Sequence, residues 1–149
     1  MRILSRGEEE TVEIGRAIGK CLEPPRAVLL IGNLGSGKTV LARGIAEGYG
    51  IDPTVVVRSP TFSLVNLYPG RKGPFYHLDL FRLEKQRDFD SIGLEEILFG
   101  DAIVVVEWAE KLPFRPQQPL TIRIHPGDRP ETRLLQIEPA IKLDFGRNR

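Results

Sequence analysis

Gly32-Asn33-Leu34-Gly35-Ser36-Gly37-Lys38-Thr39 sets glycines, a lysine and a threonine at the spacing G-x-x-x-x-G-K-[ST]. Before it stands Ala27-Val28-Leu29-Leu30-Ile31, a short apolar run of the kind buried on both faces of a parallel sheet. After it, Val40 to Glu47 places Leu41 and Ile45, with the small Ala42 and Ala46, on one helical face. Strand, glycine turn and helix in that order confine the chain to an α/β layered fold and make the turn a phosphate cradle. The glycines let successive N–H groups point inward at an anion. The helix N-terminus adds partial positive charge at the same place. Lys38 reaches the terminal phosphates of a nucleoside triphosphate, and the Thr39 hydroxyl can ligate magnesium. The expected nucleotide contacts are Asn33, Leu34, Gly35, Ser36, Gly37, Lys38, Thr39 and Val40.

The flanking sequence completes such a fold. Residues 8–22 form an amphipathic helix stopped by Pro24-Pro25, and the helix after the loop runs from Lys38 to Tyr49, with Gly48 and Gly50 as stop signals. Val55-Val56-Val57 is a short β-branched run that reads as a strand, and residues 62–68 and 75–80 are further strands joined by a turn at 69–74, hence a hairpin. A charged helical stretch at 84–99 breaks near 91–93. Residues 102–106 are a second fully apolar strand, and 120–125 and 132–138 are closing strands. The expected architecture is a single P-loop NTPase-like α/β domain over residues 1–140. It has a mixed, mostly parallel sheet, flanking helices and an inserted hairpin; residues 141–149 are a disordered tail.

A phosphate loop needs acids to do chemistry. Glu107 directly follows the apolar run 102–106, the place for a second acidic motif, and magnesium needs only one or two carboxylates. Its alternative is a surface acid ending a strand. Asp79 ends the run 75–78, and alternation puts His77 and Asp79 on one face with Tyr76 and Leu78 on the other. Asp79 either polarises water or holds a magnesium-bound one, or pairs with Arg82; His77 reads as a hydrogen-bonded structural histidine. In Arg58-Ser59-Pro60-Thr61-Phe62, hydroxyls flank a proline that favours extended backbone, which suits a nucleotide-sensing loop or an ordinary turn. Trp108 is a core anchor or a platform at the nucleotide or a partner.

Bulk properties narrow the field. Net charge is +1, so no global electrostatic pull toward nucleic acid or membrane exists. The single cysteine, Cys21, reads as a buried packing thiol and fits a reducing compartment. No apolar run approaches a membrane span, and the first residues hold no signal-peptide core, so a cytoplasmic protein without membrane contact is expected.

Taken together, the segments resemble the TsaE (YjeE) family of bacterial tRNA threonylcarbamoyladenosine biosynthesis. The resemblance rests on GNLGSGKT at 32–39, Arg43-Gly44, Ser59-Pro60-Thr61-Phe62-Ser63-Leu64-Val65, Tyr76-His77-Leu78-Asp79-Leu80-Phe81-Arg82-Leu83 and Val106-Glu107-Trp108. It implies an ATPase in which Lys38 binds phosphates, Thr39 and Glu107 hold Mg2+, and Asp79 is needed for hydrolysis. It also implies that the Ser59–Thr61 loop responds to nucleotide state, and that Thr11 and Arg133 lie near the nucleotide. The implied partners are the TsaB and TsaD proteins, with tRNA reached through their complex. Asn33, Ser36, Phe81 and Ala109 depart from the family's commoner Asp, Ala, Tyr and Pro, and none removes a donor or ligand that the mechanism needs.

Two other functions compete. A small P-loop kinase would need an arginine-bearing lid and an acceptor domain, for which no segment is long enough. A GTP-binding module would use Asp90-Ser91-Ile92-Gly93 as D-x-x-G, but that stretch falls in a helical region and no N-K-x-D sequence reads guanine.

Overall fold

The computed structural model describes residues 1–60 and 63–146. Its centre is a seven-stranded sheet formed by β1 (Arg2–Ser5), β2 (Arg26–Ile31), β3 (Val65–Tyr68), β4 (Phe75–Asp79), β5 (Ile103–Glu107), β6 (Leu120–Pro126) and β7 (Arg133–Glu138), in the order β1-β7-β6-β2-β5-β4-β3. The inner strands β6, β2, β5 and β4 are parallel to one another. β3 joins β4 antiparallel through the expected hairpin, while β7 returns antiparallel to β6 and β1 antiparallel to β7. Only β3 and β7 oppose the common direction, so the sheet is mixed and mostly parallel.

Alternation along the strands builds two cores. Val28 and Leu30 of β2, Ile103 and Val105 of β5, and Leu120, Ile122 and Ile124 of β6 face helices α1 (Glu8–Cys21) and α2 (Lys38–Tyr49). Leu29, Leu78, Val104 and Val106 face the short helices α3 (Gln86–Ser91) and α4 (Leu94–Leu98). Each fully buried Ile or Leu contributes about 1.5–3 kcal/mol. α1 and α2 meet at glycines: a Cβ on Gly15 would lie 2.7 Å from Leu41 O, on Gly44 2.4 Å from Val12 O, and on Gly48 2.1 Å from Arg16 O. No side chain fits between these backbones. α2 stops at Gly50, whose φ of 98° and N–H bonds to Ala46 O and Glu47 O close the last turn.

The structure departs from sequence expectation in four places. β1 forms where no strand was expected; its four residues pair with β7, and Ile3 packs on the core. Val55 to Val57 is not a strand: Val56 is exposed and of the three only Val57 is buried, since no neighbour among the described residues offers it a ladder. Cys21, expected to be buried, is exposed at the end of α1, with its thiol on Lys142 O at 3.1 Å. The tail expected from 141 onward packs as far as it is described, because Ile141, Leu143 and Phe145 lie against the α1–α2 core. The expected strand start at Phe62 lies outside the described residues. Among the described residues no helix is long and apolar enough to cross a membrane.

Candidate functional site

Loop 32–37 leaves the carboxyl end of β2 and delivers the chain into α2. Gly35 and Gly37 take φ of 76° and 102°, where side chains are strained, whereas Gly32 is closely packed: a Cβ there would meet Ser36 Oγ at 2.6 Å and Ile124 O at 3.1 Å. The first turn of α2 has no side-chain cap and no acid. Its leading N–H groups therefore lack helical acceptors, which is the arrangement that binds anions. Lys38 is buried, and its ammonium donates to Gly32 O and, at 3.0 Å, to Asn33 O, while lying 4.0 Å from the centroid of the Trp108 ring. Burial pushes its pKa below the ordinary value of 10.5, against the opposing pull of Glu107, Glu110 and Asp79.

The parallel register of β4 and β5 sets Asp79 directly beside Glu107 at the sheet's carboxyl edge. Thr39 Oγ1 donates to Glu107 Oε1 at 2.9 Å, linking the first turn of α2 to the end of β5. Glu107 Oε2 lies 2.5 Å from Nε2 of the fully buried His77. Ser59 Oγ donates to Asp79 Oδ2 at 2.8 Å and the Phe81 N–H to Asp79 Oδ1 at 3.0 Å, so the Asp79 carboxylate joins the 58–60 segment to the sheet. Thr61 lies outside the described residues. Trp108, at φ 57°, turns the chain sharply after Glu107 and packs on Phe81 with ring centroids 4.9 Å apart. It is thus a platform over the loop lysine as well as an anchor on the α3–α4 core.

These groups surround a pocket of about 420 Å³ lined by Leu34 to Val40, Ser59, Asp79, Phe81, Glu107 and Trp108. A second hollow of about 270 Å³ opens on the other flank of the loop between Thr11, Val40, Glu131 and Arg133. Arg133 donates to Ser36 O at 3.1 Å and Gly35 O at 3.3 Å, so a strand from the far end of the chain grips the loop. Thr11 is fixed by Ser5 Oγ at 2.6 Å and by Gly7 O. Of the residues expected at the nucleotide, Leu34 to Val40, Ser59, Asp79, Glu107 and Trp108 line the first pocket, and Thr11 and Arg133 line the second. Among the described residues no cluster of three or more His, Cys, Asp or Glu can hold a metal unaided. Thr39 and Glu107 offer adjacent hard oxygens of the type magnesium takes, with room for further oxygen ligands in the pocket.

Comparison with known proteins shows the family of the chain. Residues 5–134 match the model of the family described as threonylcarbamoyl adenosine biosynthesis protein TsaE. The chain belongs to the TsaE family. The tRNA threonylcarbamoyladenosine biosynthesis protein TsaE of Treponema pallidum is 38% identical over 83% of this chain and 90% of its own length. That of Bacillus subtilis is 38% identical over 78% and 72%. The crystal structure of Bacillus subtilis YdiB superposes with a TM-score of 0.70 at 30% identity, over 92% of this chain and 83% of that one.

For this TsaE family member, sequence reasoning missed Phe81 as a lining residue and the link from His77 to Glu107. Phe81 had a signal, since it stands two residues past Asp79 and the chain turns back at the strand end. The histidine had none, because its partner lies 30 residues away and only the β4–β5 register brings them together.

Proposed function

We propose that this chain is a magnesium-dependent ATPase that supports the TsaB–TsaD complex in forming threonylcarbamoyladenosine on tRNA. One observation carries the reading: the Thr39 hydroxyl meets the Glu107 carboxylate at 2.9 Å, with Asp79 paired beside it at the mouth of the loop. The family, its curated relatives and the loop's open N–H groups support the same reading.

ATP would lie with its phosphates against the amides of residues 33–40, and Lys38 would leave its loop carbonyls for the terminal phosphates. Thr39 and Glu107 would hold magnesium, which supplies neutralising charge to the phosphate oxygens. Asp79 would orient a water for in-line attack on the γ-phosphorus; the new P–O bond forms as the bond to the β-bridging oxygen breaks, yielding ADP and phosphate. Loop amides and Lys38 stabilise charge spreading over the phosphoryl oxygens. Ser59, bonded to Asp79, and Thr61 would sense nucleotide state. Thr11 and Arg133 would contact the nucleotide from the second hollow, and Trp108 from across Lys38.

ATP turnover measured alone and with TsaB and TsaD tests this reading. Activity is expected to be weak alone and raised by the pair. Glu107→Ala should weaken magnesium-dependent binding, and Asp79→Ala should slow turnover more than it weakens binding. A Lys38→Ala protein that hydrolysed ATP as well as wild type would end the assignment.

A further inference from the structure

We propose that His77 is a positioning residue of the nucleotide site: its Nε2–H holds one Glu107 oxygen so that the other is kept toward Thr39, and this sets how strongly magnesium contributes to nucleotide binding. The proposal rests on the reading of Glu107 and Thr39 as metal ligands given above.

His77 sits in β4 with no exposed surface, opposite Val105 and on the side of the sheet that packs against α1 and α2. An imidazole in such a layer is costly unless bonded, and an aliphatic residue would fill the space without that cost. Its single polar contact is Nε2 with Glu107 Oε2, and its Nδ1 is buried without a partner among the described residues. An ionised carboxylate can only accept, so the proton is assigned to Nε2.

Glu107 is consequently held from two sides. Thr39 of α2 occupies Oε1 and His77 of β4 occupies Oε2. If Thr39 and Oε1 turn to a shared ion, the His77 bond is the restraint that still fixes the carboxylate plane. Groups that orient metal ligands in this way typically govern 10–100-fold in metal affinity. The chain therefore spends a buried polar residue where its fold alone does not ask for one.

The test compares ATP binding in magnesium with ATP binding in EDTA for wild type, His77→Leu, His77→Gln and Glu107→Ala. His77→Leu should lower the magnesium-to-EDTA affinity ratio at least about tenfold. The amide nitrogen of His77→Gln should restore part of it, and His77→Leu should add nothing in a Glu107→Ala background. A purely structural role would lower both affinities together, and that result, or an unchanged ratio, overturns the proposal. If His77→Leu does not fold, imidazole 15N spectra of His125→Gln, which lacks the exposed second histidine, decide the matter. They should report a protonated Nε2 whose resonance moves with magnesium and ATP but not with ATP in EDTA; an Nε2 without a proton or no such difference overturns it. Wild type without any magnesium effect would defeat the metal reading and this proposal together, whereas wild-type dependence preserved in His77→Leu defeats this proposal alone.

Discussion

Lys38 is where the chemistry of single residues is most exposed to test. In the free protein its ammonium is satisfied by two loop carbonyls and the face of Trp108, and burial holds its pKa below 10.5. A bound triphosphate favours the charged form, so binding takes up a proton wherever the free lysine has begun to lose its own. The sign follows: the contribution of Lys38 to ATP affinity is full below its lowered value and weakens as pH rises through it, before an ordinary lysine would titrate. Calorimetry as pH is raised toward 10.5 should show proton uptake in wild type and none in Lys38→Arg, whose guanidinium stays charged. Trp108, the chain's single tryptophan, reports the same event optically. Drawing Lys38 from its ring and loosening its contact with Phe81 should change its emission on ATP addition, and Lys38→Ala should abolish the change. An identical change in Lys38→Ala would mean that the ring senses something other than the lysine.

Helix α2 presents the loop lysine and threonine, and its height above the sheet is set by α1. Gly15, Gly44 and Gly48 bring the two backbones closer than any side chain allows. Gly44→Ala would force a Cβ to within 2.4 Å of Val12 O, so α1 must move away. We expect a loss of about 1–3 kcal/mol, seen as a lower melting temperature, together with weaker nucleotide binding because Thr11 rides on α1. Stability lost without any change in affinity would show that the helix pair does not set the site. Elements of this kind differ in how openly the sequence declares them. β2, the loop and α2 are legible because glycines, lysine and threonine admit one local geometry. β4 and β5 are legible because each apolar run ends in an acid. β1 was hidden because four residues with one inward isoleucine carry no periodic signal, and its partner β7 lies at the other end of the chain. Val55 to Val57 misled for the converse reason, since β-branching favours a strand only where a neighbour supplies a ladder. Cys21 misled because it continues the face of Ile14 and Ile18 but is the last residue of α1, where the core no longer covers it.

At the scale of the whole molecule, the site is assembled from both chain ends around one glycine loop. Met1 bonds Ile137 across 136 positions, β1 backs β7, and β7 carries the Arg133 that grips the carbonyls of Gly35 and Ser36. Ser5, at the end of β1, fixes the Thr11 hydroxyl beside the same loop. The outer antiparallel strands therefore brace the phosphate loop from the side opposite Asp79 and Glu107. Removing residues 1–5 should cost roughly 1–3 kcal/mol, since it strips the ladder from β7 and the packing of Ile3. It should also weaken ATP binding in EDTA and in magnesium by the same factor, because the brace acts on the loop and not on the metal ligands. Ser5→Ala separates the two routes: it leaves β1 paired and removes only the hydroxyl's bonds to Thr11 and to Gly7 O, so its effect should be the smaller. Arg133→Ala should reproduce the affinity loss of the truncation with less loss of stability. A truncated protein that melts earlier yet binds ATP as wild type does would mean that β1 and β7 close the sheet without steadying the loop, and that Arg133 holds its place unaided.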